Sequence, residues 1–183
     1  MMKITSLNIS DLLLIEPCIL EDSRGFFFES FRADLFKKQT SLDISFVQDN
    51  HVKSSHGVLR GLHYQLPPHA QDKLVRVVQG EVLDVAVDIR KSSPTFGQHV
   101  AVILSSDNRK QLYIPKGFAH GVLTLSETSE FIYKVTNFYS PQDERCVHWN
   151  DAILDIDWPK IIDIQLSPKD CIGQAFNLSE LFP

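Results

Sequence analysis

The chain has no apolar run of membrane-spanning length, and its first residues lack a basic segment followed by an apolar stretch. No spanning helix, leader peptide or membrane partner is expected, and the cytoplasm is the expected location. Clustered basic charge is missing too. A formal net charge of −5 argues against non-specific nucleic-acid binding, although a few local Arg and Lys suffice for a phosphorylated small molecule. Cysteine is scarce: Cys18, Cys146 and Cys171 are odd in number and show no CxxC spacing. They read as buried free thiols rather than a disulfide framework or a zinc ribbon. Low-complexity segments, linkers and repeats are absent, so residues 1–183 read as a single domain.

What is present is strand chemistry. Hydrophobic residues make up 43% and charged residues 22%, ordinary for a globular protein. Segments 46–55, 58–65, 73–78, 81–89, 99–104, 111–114, 121–125 and 131–139 are short and rich in Val, Ile, Leu and aromatics. Polar, Gly or Pro residues punctuate them. This spacing predicts an all-β, antiparallel jelly-roll barrel with short peripheral helices. Gln79-Gly80 reads as a tight hairpin turn. Segment 32–39 reads as a short helix with Leu35 and Phe36 inward, and 178–182 as a helical turn.

Alternation aims the side chains. Phe131, Tyr133, Val135 and Tyr139 share one face of their strand and Lys134 and Thr136 the other, so Tyr133 points into the barrel. His63 and Gln65 share a face with Leu59, which leaves Arg60 on the opposite face unless Gly61 hosts a bulge. His63 is the residue that most invites chemistry, because imidazole exchanges protons near neutral pH.

Gly57 followed six residues later by His63, and Pro115-Lys116-Gly117-Phe118-Ala119-His120, resemble the two halves of the cupin motif. The second histidine of a metal-binding cupin is replaced here by Gln65, and His69 or Ala70 stands where its glutamate is expected. Two imidazoles and an amide are a poor divalent-metal shell, so no metal and no cofactor are expected.

Longer blocks are more specific. Asp22-Ser23-Arg24-Gly25-Phe26-Phe27-Phe28-Glu29-Ser30, Phe46-Val47-Gln48-Asp49-Asn50-His51, Val58-Leu59-Arg60-Gly61-Leu62-His63-Tyr64-Gln65 and Lys73-Leu74-Val75-Arg76 resemble motifs of the dTDP-4-dehydrorhamnose 3,5-epimerases. So do Asp84-Val85-Ala86-Val87-Asp88-Ile89-Arg90, Ser92-Ser93-Pro94-Thr95-Phe96-Gly97 and Glu130-Phe131-Ile132-Tyr133-Lys134. The resemblance implies a metal-free cupin homodimer that inverts C3 and C5 of a dTDP-linked 4-keto-6-deoxyhexose, on the route to dTDP-L-rhamnose. By the same resemblance His63 is the base, Tyr133 the acid, Asp170 the partner of the histidine, and Lys73 the group that stabilises the enolate oxygen. Arg24, Arg60 and Lys169 match diphosphate ligands. Glu29, Gln48, Asp49 and Asn50 match positions around nucleotide and sugar, His120 and Glu144 match further contacts, and Tyr139 matches an aromatic that stacks on thymine. The segment carrying Arg24 and Glu29 is expected to reach the partner subunit's site. Asp72, where glycine is common, raises the question of its effect on Lys73. Alternatives are a C3-only or C5-only epimerase, a ketoisomerase, a metal-dependent cupin, or a silent sugar-nucleotide-binding module.

Overall fold

The computed structural model describes residues 2–161 and 163–183. Its strands lie in two large antiparallel sheets and one two-stranded hairpin. The six-stranded sheet runs in the order β1 (Lys3–Ser6), β2 (Leu13–Glu16), β10 (Gln111–Ile114), β7 (Lys73–Gln79), β12 (Thr128–Val135) and β5 (Gln48–Ser55). The five-stranded sheet runs β13 (Glu144–Cys146), β6 (Leu59–Gln65), β11 (Phe118–Thr124), β8 (Glu81–Asp88) and β9 (His99–Ser105). Strands β3 (Leu20–Asp22) and β4 (Gly25–Phe27) form a separate hairpin. This is the expected antiparallel jelly roll. Helix α1 (Ala33–Thr40) falls one residue from its expected start and buries Phe36.

Three apolar layers hold the sheets. Val75, Val77, Val82, Ala86, Leu104, Leu112 and Phe131 fill the space between them. Leu59, Leu62, Leu83, Val85 and Val87 face outward from the five-stranded sheet and are covered by Leu154, Trp158, Phe176 and Leu181 of the C-terminal segment. Strand β8 is thus buried on both faces, which is why its sequence is apolar almost throughout. Phe36 of α1 packs with Ile15, Leu74 and Tyr113 on the outside of the six-stranded sheet. Burying such side chains contributes roughly 1.5–3 kcal/mol each.

Several expectations need correction. Gln79-Gly80 does not close a hairpin, because β7 and β8 belong to different sheets and the chain crosses between them there. Gly80 has φ +76°, and a Cβ on it would collide with the Thr128 carbonyl. The C-terminal turn is a 3-10 helix at Phe176–Leu178, earlier than expected, and Phe182 instead bridges to Arg90. Strand β12 ends at Val135, so Tyr139 lies beyond it. Cys18 and Cys171 are exposed and Cys146 is half-buried, so none is the fully buried thiol expected.

Candidate active site

The site begins with an irregularity in β6. Against β11, His63 pairs with His120 and Arg60 with Val122, so β6 carries one residue more than its neighbour over this interval. That is a bulge, and Gly61 lies within it with φ +136°. A Cβ at Gly61 would sit 2.6 Å from Gly121 Cα and 2.7 Å from the His120 carbonyl, so only glycine fits. The extra residue changes the alternation. Arg60 and His63 both line a cavity of about 280 Å³ between the sheets, while Leu59 turns outward with Leu62.

Asp170 reaches His63 from the short helix α2 (Pro168–Cys171). Ser167 caps this helix: its hydroxyl accepts from the Asp170 N–H and donates to Asp170 Oδ2 at 2.6 Å. Pro168 occupies the first turn, where its missing N–H costs nothing. The Gly61 amide, set free by the bulge, donates to Asp170 Oδ1 at 3.3 Å, and His63 Nε2 lies 2.6 Å from the same oxygen. Burial opposes the charge on Asp170, but His63 and Ser167 outweigh it and hold the carboxyl down at about 2. With Nε2 at the carboxylate, the other ring nitrogen of His63 is the one available to the cavity.

Tyr133 lines the same cavity from β12, a strand of the opposite sheet, as the alternation predicts. Burial raises its pKa, with Arg60 acting the other way. Lys73 opens β7, and its Nζ donates to the His63 carbonyl at 3.3 Å. Enclosure lowers its pKa to about 8 against the pull of Asp84 and Glu144. Asp72 is no part of that balance. Its Oδ1 accepts from the Lys116 amide at 2.7 Å, so it is tied to the neighbouring loop.

The other expected residues divide. His120, Tyr139, Glu144 and Lys169 line the cavity with Arg60. At its mouth Lys169 pairs with Glu144, and the Tyr139 hydroxyl donates to Glu144 Oε2 at 2.9 Å. Gln48 and Asn50 stand on the cavity side of β5, in step with the lining residue Val52, and Gln48 Nε2 donates to Asn50 Oδ1 at 2.8 Å. Asp49 does not join them. Adjacent strand residues point to opposite faces, and Asp49 meets Lys134 at 2.9 Å on the outer one. Arg24 and Glu29 are exposed and away from this cavity, Arg24 pairing with Asp22 in the β3–β4 turn and Glu29 with Arg32.

Sequence reasoning gave no role to Asp84, Ser167 or Cys146. Asp84 is fully buried and accepts from His120 Nε2 at 2.8 Å, and burial lowers the His120 pKa despite that carboxylate. A carboxylate amid the apolar residues of β8 was the available signal. For Ser167 the signal was Ser-Pro-x-Asp, a helix-start pattern. Cys146 faces His63 only through the β13–β6 register, which no local pattern announces. The cupin-type ligand positions are otherwise committed. Gln65 Nε2 donates to the His69 carbonyl at 2.5 Å and its Oε1 accepts from the Ser140 amide at 2.8 Å, while His69 pairs with Asp143 at 2.7 Å.

Comparison with known proteins bears on the chain as a whole. The family model described as dTDP-4-dehydrorhamnose 3,5-epimerase matches residues 6–177. A dTDP-4-dehydrorhamnose 3,5-epimerase of Shigella flexneri is 54% identical over 181 residues, 99% of each chain. A crystal structure of a dTDP-6-deoxy-D-glucose-3,5-epimerase from Legionella pneumophila, in complex with dTDP-4-keto-L-rhamnose, superposes with TM-score 0.96 at 51% identity, covering 98% of this chain and 95% of that one. A 3'-monoepimerase of Streptomyces bikiniensis in complex with dTDP-quinovose is more distant, with TM-score 0.88 at 34% identity over 93% of this chain and 86% of its own. By fold and by sequence over nearly its whole length, the chain belongs to the dTDP-4-dehydrorhamnose 3,5-epimerase family.

Proposed function

We propose that His63 and Tyr133 are the base and acid of the family's reaction, acting from opposite walls of the cavity. The activity is isomerisation: epimerisation at C3 and C5 of a dTDP-linked 4-keto-6-deoxyhexose. Both carbons flank the C4 ketone, so loss of either proton gives an enolate. His63, steadied by Asp170, takes the proton through the nitrogen turned away from that carboxylate. Lys73 stabilises the charge that develops on the ketone oxygen. Tyr133 returns a proton from the other face, which inverts the centre, and the cycle repeats at the second carbon. The observation that carries this reading is one cavity holding the His63–Asp170 pair on one sheet side, Tyr133 on the other, and Lys73 beside the histidine.

Arg60 and Lys169 are proposed diphosphate ligands at the rim, and Tyr139 a stacking partner for the base. Arg24 and Glu29 serve the partner subunit's cavity in the homodimer we propose. Their hairpin exposes Leu20, Phe26 and Phe27 at 63%, 56% and 64%, an apolar surface suited to a second copy. Among the described residues no helix is long and apolar enough to cross a membrane, and the cytoplasm remains the proposed location.

Incubation with the 4-keto sugar nucleotide in deuterated water tests the mechanism. Solvent deuterium at both C3 and C5 is expected. Label at C3 alone would identify a monoepimerase, and label at neither carbon would refute the assignment.

A further inference from the structure

The register that sets Cys146 opposite His63 also brings its sulfur near the His63–Asp170 pair. A ring nitrogen of His63, Cys146 Sγ and a carboxylate oxygen of Asp170 lie within 4.8 Å of one another, and Nε2 is the ring nitrogen beside that carboxylate. We propose that these three side chains form an inhibitory binding site for a thiophilic divalent cation, Zn²⁺ above all. The proposal rests on His63 being the base. It differs from the cupin metal position, whose further ligands Gln65 and His69 are committed elsewhere.

Three observations support it. The donors come from three separate elements already held in place. Asp170 is fixed by Ser167 and Gly61, His63 by the bulged strand, and Cys146 by β13. The donor set of imidazole, thiol and carboxylate is that of tetrahedral zinc, with a fourth position left for a water. The third observation concerns alignment. His63 Nε2 is 2.6 Å from Asp170 Oδ1, yet it is a buried nitrogen without an aligned hydrogen-bond acceptor. A carboxylate beside the nitrogen's axis holds the imidazole mainly by charge rather than by an aligned hydrogen bond. A cation on that axis would take the oxygen as a second ligand once the two donors part to the roughly 3.3 Å that tetrahedral bonds of about 2.0–2.1 Å require.

Binding has a defined proton balance. The metal–sulfur bond forms as the thiol proton leaves to water. Cys146 is half-buried, and its thiol gives up that proton as the cation binds, since only the thiolate is a ligand. The metal–nitrogen bond forms at Nε2 of a neutral imidazole, whose one proton must then sit on Nδ1. That proton occupies the position from which His63 would accept the substrate's proton. The cation therefore inhibits by fixing the wrong tautomer of the base.

The test compares wild type with Cys146→Ser in metal-free buffer, both still carrying the exposed Cys18 and Cys171. Zn²⁺ should inhibit epimerisation by the wild type, EDTA should restore it, and Mg²⁺ at equal concentration should have no effect. Loss of an outer-shell partner weakens metal sites by roughly 10–100-fold. Cys146→Ser, active without metal, should need at least about tenfold more Zn²⁺ for the same inhibition. Co²⁺ provides a readout independent of the reaction: the wild type should show a thiolate-to-cobalt charge-transfer band that Cys146→Ser and Cys146→Ala lack. Equal Zn²⁺ inhibition of the variants, inhibition by Mg²⁺, or a cobalt band unchanged in both variants would overturn the site. If the protein had no epimerase activity, the cobalt band would still decide whether the site exists.

Discussion

Replacing Lys73 with methionine should make the protein more stable and a poorer catalyst. Enclosure lowers the pKa of this lysine from 10.5 to about 8. At 1.36 kcal/mol for each tenfold change, that drop corresponds to a cost of about 3 kcal/mol for keeping the ammonium charged in the folded state. The sign follows from linkage. The unfolded chain binds the proton more tightly, so the cost is fully present below about pH 8. It shrinks as pH rises from there and is gone above 10.5, where both states are neutral. Methionine has a similar shape and carries no charge to desolvate, so Lys73→Met should gain up to about 3 kcal/mol at pH 7. The gain falls short of that limit because Asp84 and Glu144 lose a nearby cation. Losing one oxyanion-stabilising donor should lower kcat by roughly 10²–10³-fold. Urea unfolding from pH 7 to 10.5, beside kcat/KM over the same range, checks both. Wild-type stability should gain from this group above pH 8 while activity falls, and the variant should show neither trend. A less stable Lys73→Met, or wild-type activity level through pH 9, would refute the electrostatic role of Lys73.

Further changes separate the proposed roles. Tyr133→Phe should retain deuterium exchange by His63 but lose net inversion by roughly 10²–10⁴-fold, read by NMR of the sugar. If exchange and inversion fell together, Tyr133 would not be the separate acid. Asp170→Asn should lower kcat by roughly 10²–10⁴-fold with little change in KM, since the asparagine no longer stabilises the imidazolium. Steady-state kinetics at pH 7 distinguish this from a binding defect. Gly61→Ala should destabilise the fold by more than about 2 kcal/mol, because the methyl meets backbone atoms of Gly121 and His120 and φ is positive. Thermal unfolding measures it.

How far the site was legible depended on whether its cause was local. Tyr133 was aimed correctly by alternation alone, because its strand pairs in unbroken register with β5 and, from Phe131 onward, with β7. Arg60 needed the bulge that Gly61 permits, and a glycine marks where a bulge can form without requiring one. Asp49 was misplaced because a run of matched residues was taken together, although a strand cannot turn three neighbours to one side. The short strands β1 and β2 went unread, and Phe26-Phe27-Phe28, which reads as a buried strand or a dimer contact, falls in and after β4, where Phe26 and Phe27 are exposed.

By itself the sequence determined that this is a β protein, where most of its strands run, and which histidine and tyrosine to propose as base and acid. Those properties follow from period-two burial and from long matched blocks. Tertiary structure alone decided that the chain changes sheet at Gly80, that a four-residue helix near the C-terminus delivers Asp170 to His63, and that Cys146 stands beside them. The physical reason is that pairing partners and covering segments are chosen by burying apolar faces across long chain separations. No window of neighbouring residues records that choice.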